Sequence, residues 1–387
     1  MERSRLSWAA WFVSLTAVTS AKEDMRKEAA MTPCGLVRYH GYPCETSYAT
    51  TDDGFRLHMI RVRHGIRNAP GAAGGREREQ PRRHPVLLVP PLLETSAVYF
   101  INFPSESPGF LFADSGYDVW AMSNRESSHI SNSTRYSQRD PRHWKWSFDE
   151  LGRYDLAACI DHVLKVTGAP KLTTVALSQG VIANLVLHSV RPEYNNKVDL
   201  LVAYGPVGNL THIESPTSVL IPHVPSLMRL VYPFTMAGFL GTSRGLRSLI
   251  SGVCTLWGGT LCALGFTMTS FCSPEQFNTT RIPMYMGHMP TGTTVQNLLH
   301  FHQRTPPPYP LDRIRLPIAL FWSYGDTLAG EHDVGTMAAA LGSNVILNYP
   351  VPVRTFRHLD FATGYRANEL LHNVALELIQ KRIGQNL

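Results

Sequence analysis

Short apolar runs alternate with helical patterns along most of this 387-residue chain. The runs that resemble buried strands are residues 86–89, 117–120, 172–176, 198–204 and 317–322. Between them lie helical patterns, of which residues 149–166 are the clearest example. Buried strands that alternate with helices favour a mostly parallel sheet with helices on both faces. We therefore predict an α/β fold.

Two features mark the edges of this alternating region. Residues 46–62 read as two short strands around the turn Asp52-Asp53-Gly54, which predicts an edge hairpin. Between Pro206 and about Arg304 the alternation is lost, and it resumes at Pro317. An interruption of this kind predicts an insert within one fold rather than a second domain.

The insert contains residues 248–272, a stretch without charged residues that is long enough to span a bilayer. Its four glycines, three cysteines and many Ser and Thr residues lower its hydrophobicity and favour an apolar cap over a membrane span. The predicted organisation is a signal peptide (1–21), a first core part (22–205), a cap or lid (206–304) and a second core part (305–387).

The N-terminus has the three parts of a secretory signal: Arg3 and Arg5, an apolar run from Trp8, and a small-residue cleavage site at 19–21. The alternative is a membrane anchor, which the shortness of the run disfavours. An exported chain is expected to carry disulfides and glycans. The glycosylation acceptors are Asn132, Asn209 and Asn278.

The six cysteines fit export as well. Cys34 and Cys44 could close a short loop, and two of the three insert cysteines, Cys254, Cys262 and Cys272, could clip the insert. Cys159 lies in an apolar helical pattern, which is typical of a buried thiol. No C-x-x-C pair occurs in the sequence, so a zinc site has little support.

The formal charge of +6 is concentrated in one segment rather than spread over a surface. Residues 61–83 hold seven arginines against two glutamates, and residues 65–85 are rich in Gly, Pro and Arg. This composition is typical of a solvated loop, with an acidic surface partner as the alternative. Nucleic acid is not an expected partner.

Three residues occur in an order that suggests nucleophilic catalysis. Ser178 follows the strand 172–176 and precedes a helical pattern, Asp326 follows the strand 317–322, and His358 lies on a loop after a strand at 345–349. A serine nucleophile needs an imidazole to take its proton and a carboxylate to orient that imidazole. The order Ser, Asp, His at strand ends is that of α/β-hydrolase enzymes, with the serine exposed on a sharp turn.

Each of these residues also has an ordinary explanation. Ser178 could be a helix N-cap, Asp326 could cap the next helix, and His358 is one of 16 histidines. Asp333 and Asp360 are rival carboxylates. If all three ordinary explanations were correct, the three residues would have to lie at the correct strand ends by independent coincidence.

The chain resembles the animal acid lipases, the gastric and lysosomal group of α/β-hydrolases. The resemblance rests on "GYPCETSYATTDDGFRL", "GFLFADSGYDVW", "WSFDELGRYDLAACIDHVLKVTG", "FNTTRIPMYMGHMPTGTTVQN", "LPIALFWSYGDTLAGEHDV" and "RHLDF", which cover nearly the whole chain after residue 21. It implies hydrolysis of neutral lipid esters, triacylglycerols or steryl esters, at a lipid–water interface or in the lysosome. By position it implies Ser178 as nucleophile, Asp326 as acid and His358 as base, with the backbone N–H groups of Leu92 and Gln179 as oxyanion donors.

Three motifs depart from that family. Its G-H-S-Q-G reads Ala176-Leu177-Ser178-Gln179-Gly180, and its L-L-Q-H-G-L-L ends in Pro90-Pro91-Leu92-Leu93. Its W-x-G-N-S-R-G-N reads "WAMSNRES", where Met122, Ser123, Glu126 and Ser127 replace glycines and asparagines. The two prolines fix φ near −65°, so a loop that needs a positive φ at their positions would have to move.

Two functions from different classes follow. The first is a secreted or lysosomal serine lipase or esterase that needs no cofactor, because a triad performs its own proton transfer. The second is a lipase-like protein that binds lipid without turnover, which the substituted Pro90-Pro91 loop favours.

Overall fold

The computed structural model describes residues 24–69, 83–208, 244–256, 271–301 and 309–384, together with isolated positions within 223–264. The predicted signal peptide, Asn209 and most of the arginine-rich loop lie outside the described residues. Much of the predicted cap also lies outside them.

The described part of the chain contains a nine-stranded sheet. In chain order its strands are β1 Glu45–Thr50, β2 Phe55–Val62, β3 Pro85–Val89, β4 Asp118–Met122, β5 Asn132–Ser133, β6 Leu172–Leu177, β7 Val198–Tyr204, β10 Ile318–Trp322 and β11 Val345–Pro350. In space they lie in the order β1-β2-β4-β3-β6-β7-β10-β11, with β5 paired to β2. The pairs from β4 through β11 are parallel, and the β1–β2 hairpin is antiparallel. The predicted strands and edge hairpin are therefore confirmed. A second, antiparallel pair joins β8 (Gly238–Phe239) to β9 (Thr293–Thr294) within the range predicted as an insert.

Helices surround this sheet. In chain order they are α1 Pro33–Tyr39, α2 Pro108–Asp114, α3 Phe148–Glu150, α4 Ala157–Thr167, α5 Gln179–Val190, α6 Arg244–Leu256, α7 Ile282–His288, α8 Val295–Phe301, α9 Glu331–Leu341, α10 Asp360–Thr363 and α11 Asn373–Gly384. Two segments, Leu151–Leu156 and Asn368–His372, are π-helical. Short 3₁₀ turns are Ser96–Tyr99, Pro141–Trp144, Pro192–Asn196, Thr279–Arg281, Leu311–Arg313 and Gly342–Asn344.

The central strands are buried on both faces, as their unbroken apolar sequences predict. In β3, Val86 and Leu88 belong to one hydrophobic cluster, and Leu87 and Val89 belong to another on the opposite face. This alternation follows from the two-residue repeat of a strand. The sheet is thus a covered layer, and its polar chemistry is confined to the loops at the strand ends.

Disulfides form in the two regions in which the positions of the cysteines suggested them. Cys34 pairs with Cys44, and Cys254 pairs with Cys262. Cys159 and Cys272 are buried free thiols. Among the three insert cysteines, the sequence left the pairing open, and the structure joins the two that lie eight residues apart.

In the part of the chain that the structure describes, none of the helices is long and apolar enough to cross a membrane. Within residues 248–272, α6 ends at Leu256, and the described positions Thr260, Cys262 and Leu264 are also helical. Helix α6 packs against α7, and Ser251 on α6 donates a hydrogen bond to the carbonyl of Pro283.

Candidate active site

Ser178 lies on the sharp turn between β6 and α5. Its φ of 54° and ψ of −116° are outside the regions that residues other than glycine commonly adopt. The side chain makes no capping hydrogen bond at the start of α5, so Ser178 is not a side-chain N-cap. We expected an exposed serine, and this expectation was wrong because the side chain is only 8% accessible.

His358 and Asp326 form a buried pair beyond the ends of β10 and β11. The His358 Nδ1 and Asp326 Oδ2 atoms are 2.8 Å apart. The other Asp326 oxygen accepts hydrogen bonds from the backbone N–H groups of Leu328 (2.9 Å) and Ala329 (3.0 Å). These contacts fix the carboxylate, so that it can hold the imidazole with its Nε2 atom directed away from the pair.

The rival carboxylates have other positions. Asp333 lies in the first turn of α9. Asp360 accepts hydrogen bonds from the backbone N–H groups of Arg357 (2.7 Å) and Ser273, which secures the loop that carries His358. Burial raises the pKa of Asp360 to about 8.

Ser178 and His358 flank the same two residues at the end of β7. The Ser178 N–H donates to the carbonyl of Tyr204 (3.0 Å), and the next residue, Gly205, lies against the imidazole. A Cβ atom built on Gly205 would be 3.2 Å from the His358 ring and 3.3 Å from Asp326 Oδ2. No hydrogen bond joins Ser178 Oγ to His358, and the buried His358 Nε2 has no partner among the described residues. Catalytic hydrogen bonds of this kind are often long without substrate and tighten when the substrate binds.

Leu93 and Ser178 are the non-glycine residues with positive φ in the described part of the chain. Each adjoins one of the two predicted oxyanion donors, because Leu92 precedes Leu93 and Gln179 follows Ser178. The N–H groups of Leu92 and Gln179 donate to no other residue that the structure describes. Strained backbone next to two free N–H groups is typical of a site that positions donors for a ligand.

Two small residues let the turn approach its neighbouring loop. Ala176 is fully buried in β6 opposite Val89. A Cβ atom on Gly180 would be only 2.6 Å from the Val89 carbonyl oxygen and 3.0 Å from that of Pro90. Alanine is thus accommodated at position 176, whereas the close packing leaves no room for a side chain at position 180.

The sequence analysis did not identify the polar network behind this turn. The Gln179 side chain donates to Glu126 Oε2 (2.8 Å) and accepts from Asn297 Nδ2 (2.7 Å). Glu126 is fully buried, and burial raises its pKa to about 8. The signal in the sequence is the polar residues of "WAMSNRES" and "TGTTVQN", which contain Glu126 and Asn297.

Arg125 anchors the segment that carries Glu126. Its buried guanidinium donates to both Asp53 and Asp155, and its backbone N–H donates to Asp155 as well. Asp155 lies in the π-helical segment Leu151–Leu156, and burial raises its pKa to about 6. The loop from residue 123 to 127 is therefore held from two sides.

Two of the three predicted glycosylation acceptors can be located. Asn132 is exposed on β5. Asn278 is half-buried, and its side-chain oxygen caps the turn at Thr280. No group of three or more His, Cys, Asp or Glu side chains that could hold a metal ion occurs among the described residues.

The chain is similar in sequence to animal lipases over most of its length. It is 31% identical to gastric triacylglycerol lipase of Bos taurus, covering 91% of this chain and 92% of that protein. It is 28% identical to lipase member K of Homo sapiens, covering 97% and 98%. The model of the partial alpha/beta-hydrolase lipase region matches residues 35–103.

Solved structures support the fold. A thermophilic esterase from Thermogutta terrifontis matches with a TM-score of 0.52 and 13% identity, covering 87% of this chain and 99% of that chain. A bacterial membrane phospholipase A matches with a TM-score of 0.52 and 12% identity, covering 97% and 98%. With its α/β-hydrolase fold and these relatives, the chain belongs to the animal acid lipase family and is a carboxylic ester hydrolase.

Proposed function

We propose that this protein hydrolyses neutral lipid esters, triacylglycerols or steryl esters, through a triad of Ser178, His358 and Asp326. The observation that carries the proposal is the buried His358–Asp326 pair, which lies against Gly205. The preceding residue, Tyr204, accepts a hydrogen bond from the N–H group of the strained Ser178. Asp326 is the carboxylate that contacts the His358 imidazole within the described part of the chain.

In the first half-reaction the Ser178 hydroxyl attacks the ester carbonyl while His358 Nε2 takes its proton. Asp326 holds the imidazole in the required tautomer and stabilises the imidazolium that forms. The N–H groups of Leu92 and Gln179 stabilise the negative charge that develops on the carbonyl oxygen. The alcohol leaves with a proton from His358, and the acyl group remains on Ser178.

In the second half-reaction water replaces the alcohol. His358 removes a proton from that water, which attacks the acyl carbonyl, and the same two N–H groups stabilise the second tetrahedral intermediate. Collapse of the intermediate releases the carboxylic acid and returns the proton to Ser178. Every proton transfer uses a residue of the chain, so the reaction needs no cofactor.

The insert, residues 206–304, is proposed to act as a lid that meets the lipid surface. Ser178 is buried, so the lid or neighbouring loops must move before a lipid ester can reach it. Leu249 and Val253 lie one turn apart on α6 and are 63% and 50% accessible, which gives this helix an apolar outer face. Apolar side chains in this position suit contact with lipid.

We further propose that the protein reaches an extracellular or lysosomal compartment through the secretory pathway. The two disulfides and the exposed Asn132 acceptor support this route. Expression in a secreting eukaryotic host, followed by glycosidase treatment of the medium and lysosomal fractions, tests both the route and the destination.

Fluorophosphonate labelling of the purified protein tests the nucleophile, since the reagent requires an activated serine and a working oxyanion hole. We expect mass spectrometry to find the label on Ser178. Ser178→Ala should abolish labelling and ester hydrolysis while changing thermal stability little, because the Ser178 side chain makes no capping hydrogen bond at the start of α5 whose loss would strand a backbone donor. Retention of more than a trace of hydrolysis by Ser178→Ala would show that another residue is the nucleophile.

The substrate class and the lid are tested with emulsions. We expect hydrolysis of emulsified triacylglycerol or steryl ester to exceed hydrolysis of the same class of ester below its solubility limit. A folded protein that binds these emulsions but neither labels nor hydrolyses would support the lipid-binding function instead.

A further inference from the structure

Glu126 is a fully buried carboxyl group surrounded by hydrogen-bond donors. Its Oε1 atom accepts from Thr293 Oγ1 (2.7 Å) and Asn297 Nδ2 (3.3 Å). Its Oε2 atom accepts from Gln179 Nε2 (2.8 Å) and Asn124 Nδ2 (3.2 Å). Such a group is costly to bury, so four partners from three separate segments indicate a specific arrangement.

The partners of Glu126 connect the oxyanion hole to the insert. Gln179 supplies one of the proposed oxyanion donors, and both ends of its side-chain amide are held, one by Glu126 and the other by Asn297. Thr293 and Asn297 belong to β9 and α8 at the end of the insert. This segment therefore contacts Gln179 directly through Asn297 and indirectly through the hydrogen bond from Thr293 to Glu126. A displacement of the segment would change both connections.

We propose that Glu126 is a positioning residue for ester hydrolysis, which fixes Gln179 in the oxyanion hole, couples it to the insert, and makes its strength as a donor depend on pH. This inference rests on the proposed function of Ser178 and Gln179. It concerns a residue that is not part of the acid lipase pattern, since Glu126 stands in the motif where that family usually has glycines and asparagines.

The hydrogen bonds to Gln179 persist in both protonation states of Glu126. In the ionised state all four contacts are donated to the carboxylate. In the neutral state the hydroxyl group on Oε1 can donate to Thr293, because the threonine hydroxyl can rotate to accept. Oε2 then still accepts from Gln179, so protonation changes the charge and leaves the positioning contact in place.

Ionisation of Glu126 opposes the charge that forms during catalysis. Burial raises its pKa to about 8, so the group becomes negative only in mildly alkaline solution. The titratable groups that face it among the described residues are Glu94 from the loop after β3 and Asp155 from the π-helical segment. Burial raises the pKa of Glu94 well above its usual range, and neither carboxyl group can balance a negative charge on Glu126. The nearby Arg125 is already engaged by Asp53 and Asp155. A negative Glu126 therefore adds an unbalanced charge in contact with the Gln179 side chain, and this charge opposes the negative charge that develops at the Gln179 N–H group.

Two substitutions separate the charge of Glu126 from its hydrogen bonds. Glu126→Gln keeps an acceptor for Gln179 and a donor for Thr293, and it removes the charge. Glu126→Ala removes both. Glu106→Gln is the matched control, because burial also raises the pKa of Glu106 while its carboxyl group contacts none of the residues in this network.

Between pH 7 and 9 we expect the kcat of the wild type to fall about tenfold more than the kcat of Glu126→Gln, because the variant does not acquire the negative charge. Glu126→Ala should lower kcat by about tenfold at every pH with KM changed less than about threefold, because Gln179 loses its support. Glu106→Gln should follow the wild-type profile. An identical alkaline loss in wild type and Glu126→Gln, or an unchanged kcat in Glu126→Ala, would refute the inference.

A spectroscopic readout distinguishes this failure from failure of the proposed function. In protein labelled with ¹⁵N-glutamine, the Gln179 amide resonance should shift with pH near 8 in wild type and should not shift in Glu126→Gln. Absence of this titration overturns the inference whatever the enzymatic activity. A clear titration together with hydrolysis by Ser178→Ala would retain the coupling and refute the proposed nucleophile.

Discussion

Replacement of Gly180 by alanine tests whether the loop after β3 positions an oxyanion donor. The added Cβ would be 2.6 Å from the Val89 carbonyl oxygen, 3.0 Å from the Pro90 carbonyl oxygen and 3.1 Å from Val89 Cγ1. Two of these atoms belong to the backbone, so the loop has to retreat by several tenths of an ångström. Leu92 lies two residues after Pro90 and would retreat with it. Loss of one oxyanion donor lowers kcat by about 10²–10³, and we expect a decrease of this size.

Gly335→Ala is the matched control for this experiment. Gly335 is also helical, and a Cβ there would meet nothing within 4 Å. It should therefore leave kcat unchanged and raise the free energy of unfolding by up to about 1 kcal/mol, the usual gain from glycine to alanine in a helix. The assay is kcat on a soluble chromogenic ester, with circular dichroism to verify folding. A folded Gly180→Ala variant with kcat within about tenfold of wild type would refute the role of the loop.

Three further predictions test the remaining parts of the proposed site. Asp326→Asn should lower kcat by about 10⁴ through a misoriented imidazole, whereas Asp333→Asn should stay within about tenfold of wild type; the reverse result would transfer the acid role. Gly205→Ala places a Cβ 3.2 Å from the His358 ring at a φ of +47°, so kcat should fall at least about tenfold with the protein still folded, as measured with a soluble ester and by circular dichroism. The pKa of Glu126 in the folded protein is about 8, above the ordinary 4.5, so ionisation of this group opposes folding. Between pH 5 and 8 the free energy of unfolding of the wild type should therefore fall relative to that of Glu126→Gln by about 1 kcal/mol per pH unit, as measured by chemical denaturation. The same pH dependence of this free energy in both proteins would contradict the raised pKa.

The strands could be predicted because each central strand is a continuous apolar run. Residues 172–176 and 198–204 were expected as strands, and β6 and β7 match them within one residue. The strand order, with β4 between β2 and β3, could not be predicted, because apolar runs of similar composition carry no information on which run is adjacent to which. The two-residue strands β5 and β9 are too short to leave a periodic pattern.

The proposed site residues could be selected from the sequence because their roles follow from chain order. Ser178, Asp326 and His358 each follow a strand, and this relation is visible in one dimension. The Glu126 network was not visible, because Gln179 and Asn297 are separated by 118 residues and meet only after the sheet and insert have packed. The burial of Ser178 could not be inferred either, since it depends on the tertiary packing around the turn.

The two prolines that distinguish this chain from the acid lipase pattern do not lie where the backbone is strained. The positive φ in that loop belongs to Leu93, after both prolines and after the proposed donor Leu92. Proline removes its own N–H group and fixes its own φ, but Leu92 keeps its N–H. The carbonyl of Leu93 accepts a hydrogen bond from Thr291 of the insert (2.8 Å), so the strained residue is held from the same side as Gln179. Both proposed oxyanion donors thus depend on contacts with residues 291–297, and opening of the insert should alter the oxyanion hole as well as access to Ser178.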